Sequence, residues 1–204
     1  MTRRVVLYGG TFDPVTTAHM VVADQAERLL RPDAFWFVVD NVAGERKAVY
    51  APAETRLEMV RAATRDDRRF TVVDIEVRRG GVTYTAETMD ELHRLHPEVR
   101  FELLLGADSA RTIRSWRFGD RLLRDEWFDI VNRSTQEPLT MDEAAAIGYD
   151  PARTRLIEIA SPPLSASEAR RRVEQGLPLD GVVPEPALAI ISRDGLYAAR
   201  TSRA

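Results

Sequence analysis

The sequence predicts an α/β protein with a doubly wound, mostly parallel sheet of the Rossmann-like kind. Short apolar runs of strand length alternate with segments whose apolar residues recur at helical spacing. Several of these runs are apolar throughout, as expected for strands that helices cover on both faces. The chain has 204 residues, which suits one well-packed domain and is short for two. We therefore expect a single domain over residues 1–204, with a helical carboxyl-terminal part from about residue 162.

Four strands and three helices are predicted in the first half of the chain. The strand segments are apolar or β-branched, and the helical segments carry apolar residues on one face. The predicted strands are residues 5–8, 35–39, 70–77 and 101–105, and the predicted helices are residues 19–30, 53–64 and 85–95. Residues 40–52 contain Gly44 and a basic cluster of Arg46 and Lys47, which predicts an exposed loop.

The second half of the chain shows weaker patterns, apart from one helix. Strands are predicted over residues 127–131 and 156–159, and helices over residues 141–147 and 184–192. The strongest signal is a helix over residues 165–175. Ser165 can cap it, Glu168 stands three residues later as in a capping box, and Gly176 follows its end.

The composition excludes several classes of function. Charged residues make up 30% of the chain and the formal net charge is -3, so the surface lacks the basic character of a general nucleic-acid binder. The absence of cysteine excludes a disulfide framework, a thiolate zinc site and a cysteine nucleophile. Apolar runs are too short for a signal peptide or a transmembrane helix. We expect a cytoplasmic protein that binds neither nucleic acid nor membrane. The sequence leaves open whether the protein forms a homo-oligomer.

The most unusual segment is the loop between the first strand and the first helix, residues 9–19, GGTFDPVTTAH. Ligands of doubly wound sheets lie at the carboxyl ends of the strands, where this loop begins. Gly9 and Gly10 let backbone approach a phosphate closely, and the start of the helix offers N–H groups and a positive dipole end. Two threonine hydroxyls and the imidazole of His19 can donate to the same anion.

This loop differs from two common phosphate-binding motifs. It has no Gly-Lys-Ser/Thr at Walker spacing, and it lacks the Gly-x-Gly-x-x-Gly spacing, which disfavours a Rossmann dehydrogenase. A double glycine alone would more often be an ordinary turn, and a lone histidine an ordinary surface residue. The interpretation therefore depends on the complete string.

The string resembles the GGTFDPxHxGH signature of nicotinate mononucleotide adenylyltransferases, members of the nucleotidyltransferase α/β phosphodiesterase superfamily with a (His/Thr)-x-Gly-His motif. Residues 79–89, RGGVTYTAETM, are similar to the RGG-x-S/T-YT-x-D/E-TL segment of that family. Residues 105–109, LGADS, are similar to its GAD-S/A segment, and Trp116 follows at the usual distance. Residues 164–170, LSASEAR, resemble its ISST-x-x-R motif, and residues 183–197 resemble its ending. The resemblance therefore spans nearly the whole chain.

The resemblance implies a nucleotidyltransferase fold and an adenylyltransferase activity. The implied reaction transfers AMP from ATP to nicotinate mononucleotide, releases pyrophosphate and forms nicotinate adenine dinucleotide in NAD biosynthesis. In-line attack on the α-phosphorus asks the protein mainly for positioning and for stabilisation of charge. Magnesium is implied as the cofactor, bound with ATP through phosphates and water, so no dedicated metal-ligating residues are expected.

The resemblance also implies roles for individual residues. The implied catalytic residues are Thr16, His19, Lys47 and Arg170. The implied ATP-binding residues are Gly9, Gly10, Thr11, Phe12, His19, Gly106, Asp108, Ser165, Ser167 and Arg170. The implied acceptor-binding residues are Tyr84, Thr85, Trp116 and Arg133, with Thr85 and nearby backbone on the pyridine carboxylate and Trp116 stacked on the ring.

Four other aromatic residues are interpreted without a role in the site. Trp36 and Trp127 lie in strand-like runs and are expected to pack in the protein interior. His93 and His96 match no motif, so we expect them on the solvated surface. Three histidines without cysteine do not predict a zinc site.

Three departures from the family pattern leave the acceptor open. Thr16 replaces the first motif histidine, Ala18 replaces glycine, and residues 40–52 lack the usual Pro-Pro-His-Lys, which leaves Arg46 or Lys47 as the phosphate-facing cation. Threonine at this place is usual in pantetheine-phosphate adenylyltransferases. The alternatives are therefore an adenylyltransferase for phosphopantetheine or nicotinamide mononucleotide, or a catalytically weak nucleotide-binding paralogue. A cytidylyltransferase would keep the superfamily motifs without the acceptor segment.

Overall fold

A six-stranded parallel sheet forms the centre of the computed structural model, which describes residues 2–43, 49–134 and 136–198. The strands are β1 (Arg3–Gly10), β2 (Ala34–Val39), β3 (Val42–Ala43), β4 (Phe70–Val73), β5 (Val82–Thr83), β6 (Val99–Gly106), β7 (Trp127–Arg133) and β8 (Thr154–Ile159). The order across the sheet is β4-β2-β1-β6-β7-β8, while β3 and β5 form a separate parallel pair.

Helices cover both faces of this sheet, so the predicted doubly wound α/β fold is confirmed. They are α1 (Thr17–Leu30), α2 (Ala53–Thr64), α3 (Ile75–Arg79), α4 (Thr85–Leu95), α5 (Ala107–Arg111), α6 (Gly119–Asp125), α7 (Met141–Ile147), α8 (Ala166–Glu174) and α9 (Glu185–Arg193). The chain builds outward from β1 to β4, then returns to the centre with β6 and builds the other way. The strand order therefore reverses between β1 and β6, where ligands of such sheets bind.

Each face of the sheet has its own core. Side chains alternate along a strand, so Val6 of β1 enters one core while Val5 and Leu7 enter the other. The first core contains Val22 of α1, Val60 of α2, Ala169 of α8 and Ile190 of α9, and the second contains Met89 of α4 and Leu122 of α6. Each large apolar side chain buried in this way stabilises the fold by about 1.5–3 kcal/mol. Because α1 and α8 share the first core, both predicted phosphate-binding motifs lie on the same face.

One predicted strand is wrong in its second half. Residues 70–77 form β4 only as far as Val73, and α3 begins at Ile75. The alternating apolar pattern has another cause here, because Ile75 packs in the second core and Val77 against the first. The alternation therefore comes from a short helix that contacts both cores at the edge of the sheet. The helices predicted over residues 53–64, 85–95 and 141–147 coincide with α2, α4 and α7.

The capping box predicted at α8 is half formed. The Ser165 hydroxyl oxygen accepts from the backbone N–H of Glu168 at 3.1 Å, so Ser165 is the N-cap. The Glu168 carboxylate instead accepts from Arg171 at 2.6 Å and from Arg172 at 3.0 Å. Charge pairing along the helix surface takes the place of the second capping bond. In the described ranges, no helix combines the length and the apolar character that a membrane crossing requires.

Candidate active site

Two glycines mark the carboxyl edge of the sheet between β1 and β6. The register that pairs Tyr8 with Leu104 brings Gly9 and Gly106 to this edge on neighbouring strands. A Cβ atom added at either glycine would meet no atom of the described residues within 4 Å. Gly10 differs, because a Cβ there would lie 2.9 Å from the Phe12 ring. Packing therefore explains Gly10, whereas Gly9 and Gly106 leave backbone open to a ligand.

His19 is held in one orientation at the start of α1. The backbone N–H of Thr16 donates to His19 Nδ1 at 2.9 Å, and the Thr16 hydroxyl oxygen accepts from the His19 N–H at 3.4 Å. This is a reciprocal capping box in which histidine takes the place of glutamate. Because Nδ1 accepts a hydrogen bond, the proton of the neutral imidazole is on Nε2. The half-buried ring packs edge-on against Phe12, with 5.2 Å between the ring centroids.

Two residues of this loop are placed differently from the expectation. Thr16 was expected to donate to a phosphate, but its side chain is fully buried and its oxygen caps α1. Phe12 was expected to bind ATP, but its ring is 3% exposed and packs against Tyr8, Phe37 and His19. Burial on the first core decides both placements. Thr16 therefore positions His19, and the Phe12 ring packs in the first core.

Arg56 joins three loop segments beneath the carboxyl edge. Its side chain is fully buried, and it donates to the carbonyl oxygens of Thr11 at 2.6 Å, Ala51 at 3.1 Å and Asn41. It also pairs with Asp40 at 2.8 Å, and Asp40 accepts from the Thr11 hydroxyl at 2.7 Å. The predicted ATP-binding residue Thr11 is therefore fixed by the ion pair between the buried Arg56 and the half-buried Asp40.

The sequence interpretation gave Arg56 no role, although the sequence contains a signal for one. Arg56 lies on the apolar face of α2, one residue before Leu57 and four before Val60, both of which are buried. An arginine on a buried helix face requires acceptors for its guanidinium. Its identity as a structural residue could therefore have been predicted, but its partners could not.

Asp13, like Arg56, is a buried residue with several hydrogen-bond partners to which the sequence interpretation gave no role. The residue is 3% exposed. Its carboxylate accepts from the backbone N–H groups of Tyr50 at 2.7 Å and Ala51 at 3.2 Å, and from the Tyr197 hydroxyl at 2.7 Å. Its carbonyl oxygen accepts from Arg170 Nη1 at 2.6 Å. Asp13 therefore ties the loop after β1 to three distant parts of the chain.

Arg170 brings the late motif to the first loop. Besides its bond to Asp13, it donates to the Ser167 hydroxyl at 3.1 Å, and its guanidinium lies 4.3 Å from the centre of the exposed Tyr50 ring. Ser165 caps the same helix. Two helix amino ends and a guanidinium thus face one region, as expected for binding several phosphate groups.

Asp108 and Arg133 lie together on the β6–β7 side of this edge. Asp108 is in the first turn of α5, and its exposed carboxylate accepts from Gln136 at 2.6 Å. Arg133 ends β7, donates to Gln136 at 3.1 Å and lies 3.8 Å from the Asp108 carboxylate. Arg133 was expected at the acceptor, but its described contacts are with the predicted ATP-binding residue. Burial raises the pKa of the Tyr8 hydroxyl, and the charge of Arg133 opposes that shift.

The predicted acceptor segment is linked to the ATP-side loops. Thr85 is the first residue of α4 and Tyr84 is its N-cap. The Arg117 guanidinium lies 5.0 Å from the centre of the Tyr84 ring, and the preceding residue, Trp116, is half-buried against the second core. Asn41 donates to the Gly81 carbonyl oxygen at 2.7 Å, next to the β3–β5 pair. Tyr84 and Thr85 are therefore in contact, through Arg117, with the segment that carries Trp116.

The remaining predicted residues fall into three groups. Lys47, predicted as catalytic, and Arg46 lie outside the described residues. His93 is partly exposed but approaches the Glu126 carboxylate to 3.0 Å, and burial raises the pKa of that carboxyl. His96 and Trp36 pack edge to face, with 5.7 Å between the ring centroids, and Arg100 covers Trp127 at 4.4 Å. Among the described residues, no three His, Cys, Asp or Glu side chains are grouped as for a metal ion.

Comparison with known proteins places the chain among its relatives. Residues 7–172 match the cytidylyltransferase-like family. The "Probable nicotinate-nucleotide adenylyltransferase" of Exiguobacterium sibiricum is 35% identical to the chain, over 96% of the chain and 99% of the relative. A protein with the same name from Thermus thermophilus is 34% identical, over 95% of the chain and 99% of the relative.

A solved structure has the same fold. Plasmodium falciparum nicotinic acid mononucleotide adenylyltransferase, complexed with NaAD, superimposes with a TM-score of 0.82 at 23% identity. The match covers 96% of this chain and 97% of that one. The family model and the sequence relatives assign the chain: it belongs to the nicotinate-nucleotide adenylyltransferase family, within the wider cytidylyltransferase-like family.

Proposed function

We propose that this chain transfers AMP from ATP to nicotinate mononucleotide, forming nicotinate adenine dinucleotide and releasing pyrophosphate. The observation that carries the proposal is the bond from Arg170 to the carbonyl oxygen of Asp13. It joins the two phosphate-binding motifs, 157 residues apart, into one site beside His19. The family relationship supports the same activity.

The ATP half of the proposal uses the edge between β1 and β6. The triphosphate lies over Gly9 and the amino ends of α1 and α8, where N–H groups and helix dipoles favour anions. His19 donates from Nε2 to a nonbridging oxygen of the α-phosphate, where negative charge increases in the transition state. Arg170 carries five N–H donors, so it can bind phosphate while it keeps its bonds to Asp13 and Ser167. Lys47 stays a prediction as a further cation.

The acceptor half of the proposal uses the segment before α4. Trp116 stacks on the cationic pyridinium ring, and the first N–H groups of α4, around Thr85, bind the pyridine carboxylate. Arg117, which lies over the Tyr84 ring, adds positive charge beside this helix start. That charge favours the acid form of the pyridine over the neutral amide.

The chemical step needs no covalent enzyme intermediate. A phosphate oxygen of the acceptor attacks the α-phosphorus of ATP, a new P–O bond forms, and the bond to the bridging oxygen of pyrophosphate breaks. Positioning of the two phosphates and neutralisation of their charge provide the acceleration. Among the described residues no side chains are grouped to hold a metal ion, so magnesium would be held by ATP itself and would supply further neutralisation of the phosphate charge.

The position of Thr16 weakens the argument for another acceptor. Threonine at this place favoured a phosphopantetheine enzyme because it is usual in that family. The side chain is fully buried and caps the helix that carries His19. The geometry of α1 therefore supplies a reason for threonine that does not depend on the acceptor.

The test is pyrophosphate release from ATP and Mg²⁺ with four acceptor conditions: nicotinate mononucleotide, nicotinamide mononucleotide, phosphopantetheine and none. Release that requires nicotinate mononucleotide, with the dinucleotide identified by mass, supports the proposal. Release with only another acceptor would contradict the assignment of nicotinate mononucleotide as the substrate. The absence of pyrophosphate release in all four conditions would contradict the proposed activity.

A further inference from the structure

Tyr197 reaches from the carboxyl-terminal segment into the first loop. It follows α9, and its hydroxyl donates to Asp13 Oδ1 at 2.7 Å, across 184 residues of sequence. Its φ angle is 63°, a left-handed backbone conformation that is unfavourable for a bulky residue. Such a conformation persists only where surrounding contacts hold it in place. The ring packs against the first core, and the hydroxyl bond fixes its end.

The bond from Tyr197 completes the set of donors around one buried carboxylate. Asp13 also accepts from the N–H groups of Tyr50 and Ala51, which precede α2. The same two residues contact other parts of the site. The Tyr50 ring lies under the Arg170 guanidinium, and the Ala51 carbonyl oxygen accepts from Arg56. A change in the position of Asp13 therefore affects Arg170 in two ways. The carbonyl oxygen of Asp13 accepts from Arg170, and its carboxylate holds Tyr50, whose ring contacts Arg170.

A buried carboxylate is held rigidly only when its lone pairs are satisfied. Without the Tyr197 hydroxyl, Asp13 Oδ1 keeps only the hydrogen bond from the Ala51 N–H, which at 3.2 Å is the longest of the three. The loop would then sample more arrangements before ATP binds, and binding would have to order it. Loss of this hydrogen bond should therefore lower the affinity for ATP, while the arrangement of the site after ATP has bound stays the same.

We propose that Tyr197 is a positioning residue of the ATP site, which acts through Asp13 to hold the loop that carries Tyr50 and the helix α8 that carries Arg170. The proposal rests on the function proposed above, since that function assigns the phosphates of ATP to the first loop, the amino end of α8 and Arg170. It adds a residue from the last described segment of the chain to the site. Its predicted signature is a change in the KM for ATP that is separate from kcat and from the KM for the acceptor.

The variant that tests the proposal is Tyr197→Phe, which keeps the ring in the core and removes only the hydroxyl. The matched control is Tyr149→Phe, because Tyr149 is also buried, donates to a backbone carbonyl, that of Ala110, at 3.1 Å, and packs in the second core. For Tyr197→Phe, the KM for ATP should rise about ten- to hundredfold, as expected for one hydrogen bond to a charged group. Its kcat and its acceptor KM should stay within about twofold, and Tyr149→Phe should leave all three within that range.

Amide hydrogen exchange gives a readout that does not depend on activity. The N–H groups of Tyr50 and Ala51 should exchange faster in Tyr197→Phe and at the original rate in Tyr149→Phe. Equal KM values for ATP in the two variants, together with unchanged exchange at Tyr50 and Ala51, would overturn the proposal. If the original enzyme turns over no acceptor, the proposed function fails separately. Calorimetric titration with ATP alone then decides, and equal ATP affinity of the original enzyme and Tyr197→Phe would overturn the role of Tyr197.

Discussion

Replacement of His19 by alanine separates the contribution of this residue to stability from its contribution to catalysis. The imidazole accepts from the Thr16 N–H at 2.9 Å as half of a capping box. Loss of that half should lower the free energy of unfolding by about 1 kcal/mol. The Nε2 donor is needed chiefly when charge builds on the α-phosphate. Its loss should lower kcat by about 10² to 10³, equivalent to about 2.7–4 kcal/mol of transition-state stabilisation.

The two effects require two measurements. Denaturant unfolding gives the stability difference, and pyrophosphate release at saturating substrates gives kcat. Because the donor acts mainly on the transition state, the KM for ATP should change by less than about fivefold. His93→Ala is the matched control, since it removes a partly exposed helical histidine that contacts Glu126 outside the site. A kcat for His19→Ala within about threefold of the original enzyme, or an equal loss in His93→Ala, would refute the reasoning.

Three further substitutions test other parts of the site and the fold. Gly9→Ala should leave the free energy of unfolding within about 0.5 kcal/mol, because its Cβ meets no described atom within 4 Å, yet it should raise the KM for ATP; an unchanged KM would show that no ligand approaches this backbone. Trp116→Ala should raise the KM for nicotinate mononucleotide much more than that for ATP, and equal rises would indicate a packing role. Asp129 of β7 is fully buried and pairs with Arg155 at 2.7 Å, and burial raises its pKa to about 6 although the charge of Arg155 opposes that shift. The folded state therefore binds more protons than the unfolded chain between about pH 4 and 6, and this contribution to stability is lost as the pH rises through that window. Asp129→Asn should therefore gain stability relative to the original protein between about pH 4.5 and about pH 7.5 in urea unfolding, and a difference that does not change with pH would contradict the assignment.

Much of the fold follows from local patterns in the sequence. The helices over residues 53–64 and 85–95 were predicted with correct bounds, because an apolar face and clear breakers define them. Residues 70–77 were not, because the alternation of Ile75 and Val77 is ambiguous until both cores are known. The two-residue strands β3 and β5 are too short to give any pattern.

The residues of the candidate site also divide into those that sequence motifs predict and those that only the structure identifies. The predicted positions of Gly9, His19 and Arg170 follow from contiguous motifs, whereas the contacts of Asp13 come from residues 37 to 184 positions away. Arg56 contacts the Asp40 carboxylate, 16 positions away, and backbone carbonyls, which carry no sequence signal. The placement of Thr16 depends on burial, which a motif does not encode. Motifs therefore identify the groups that can face a ligand, and the interactions that hold those groups become visible only in three dimensions.

The bond between Tyr197 and Asp13 also has a consequence for the order of folding. Contacts between residues 184 positions apart form only after nearly the whole described chain has been synthesised. The central strands β1 and β2 can pair much earlier, because β2 is complete at Val39. The sheet can therefore assemble during synthesis, while the loop after β1 reaches its final arrangement last. A nascent chain would therefore form part of the sheet before it forms the loop arrangement that is proposed to bind ATP.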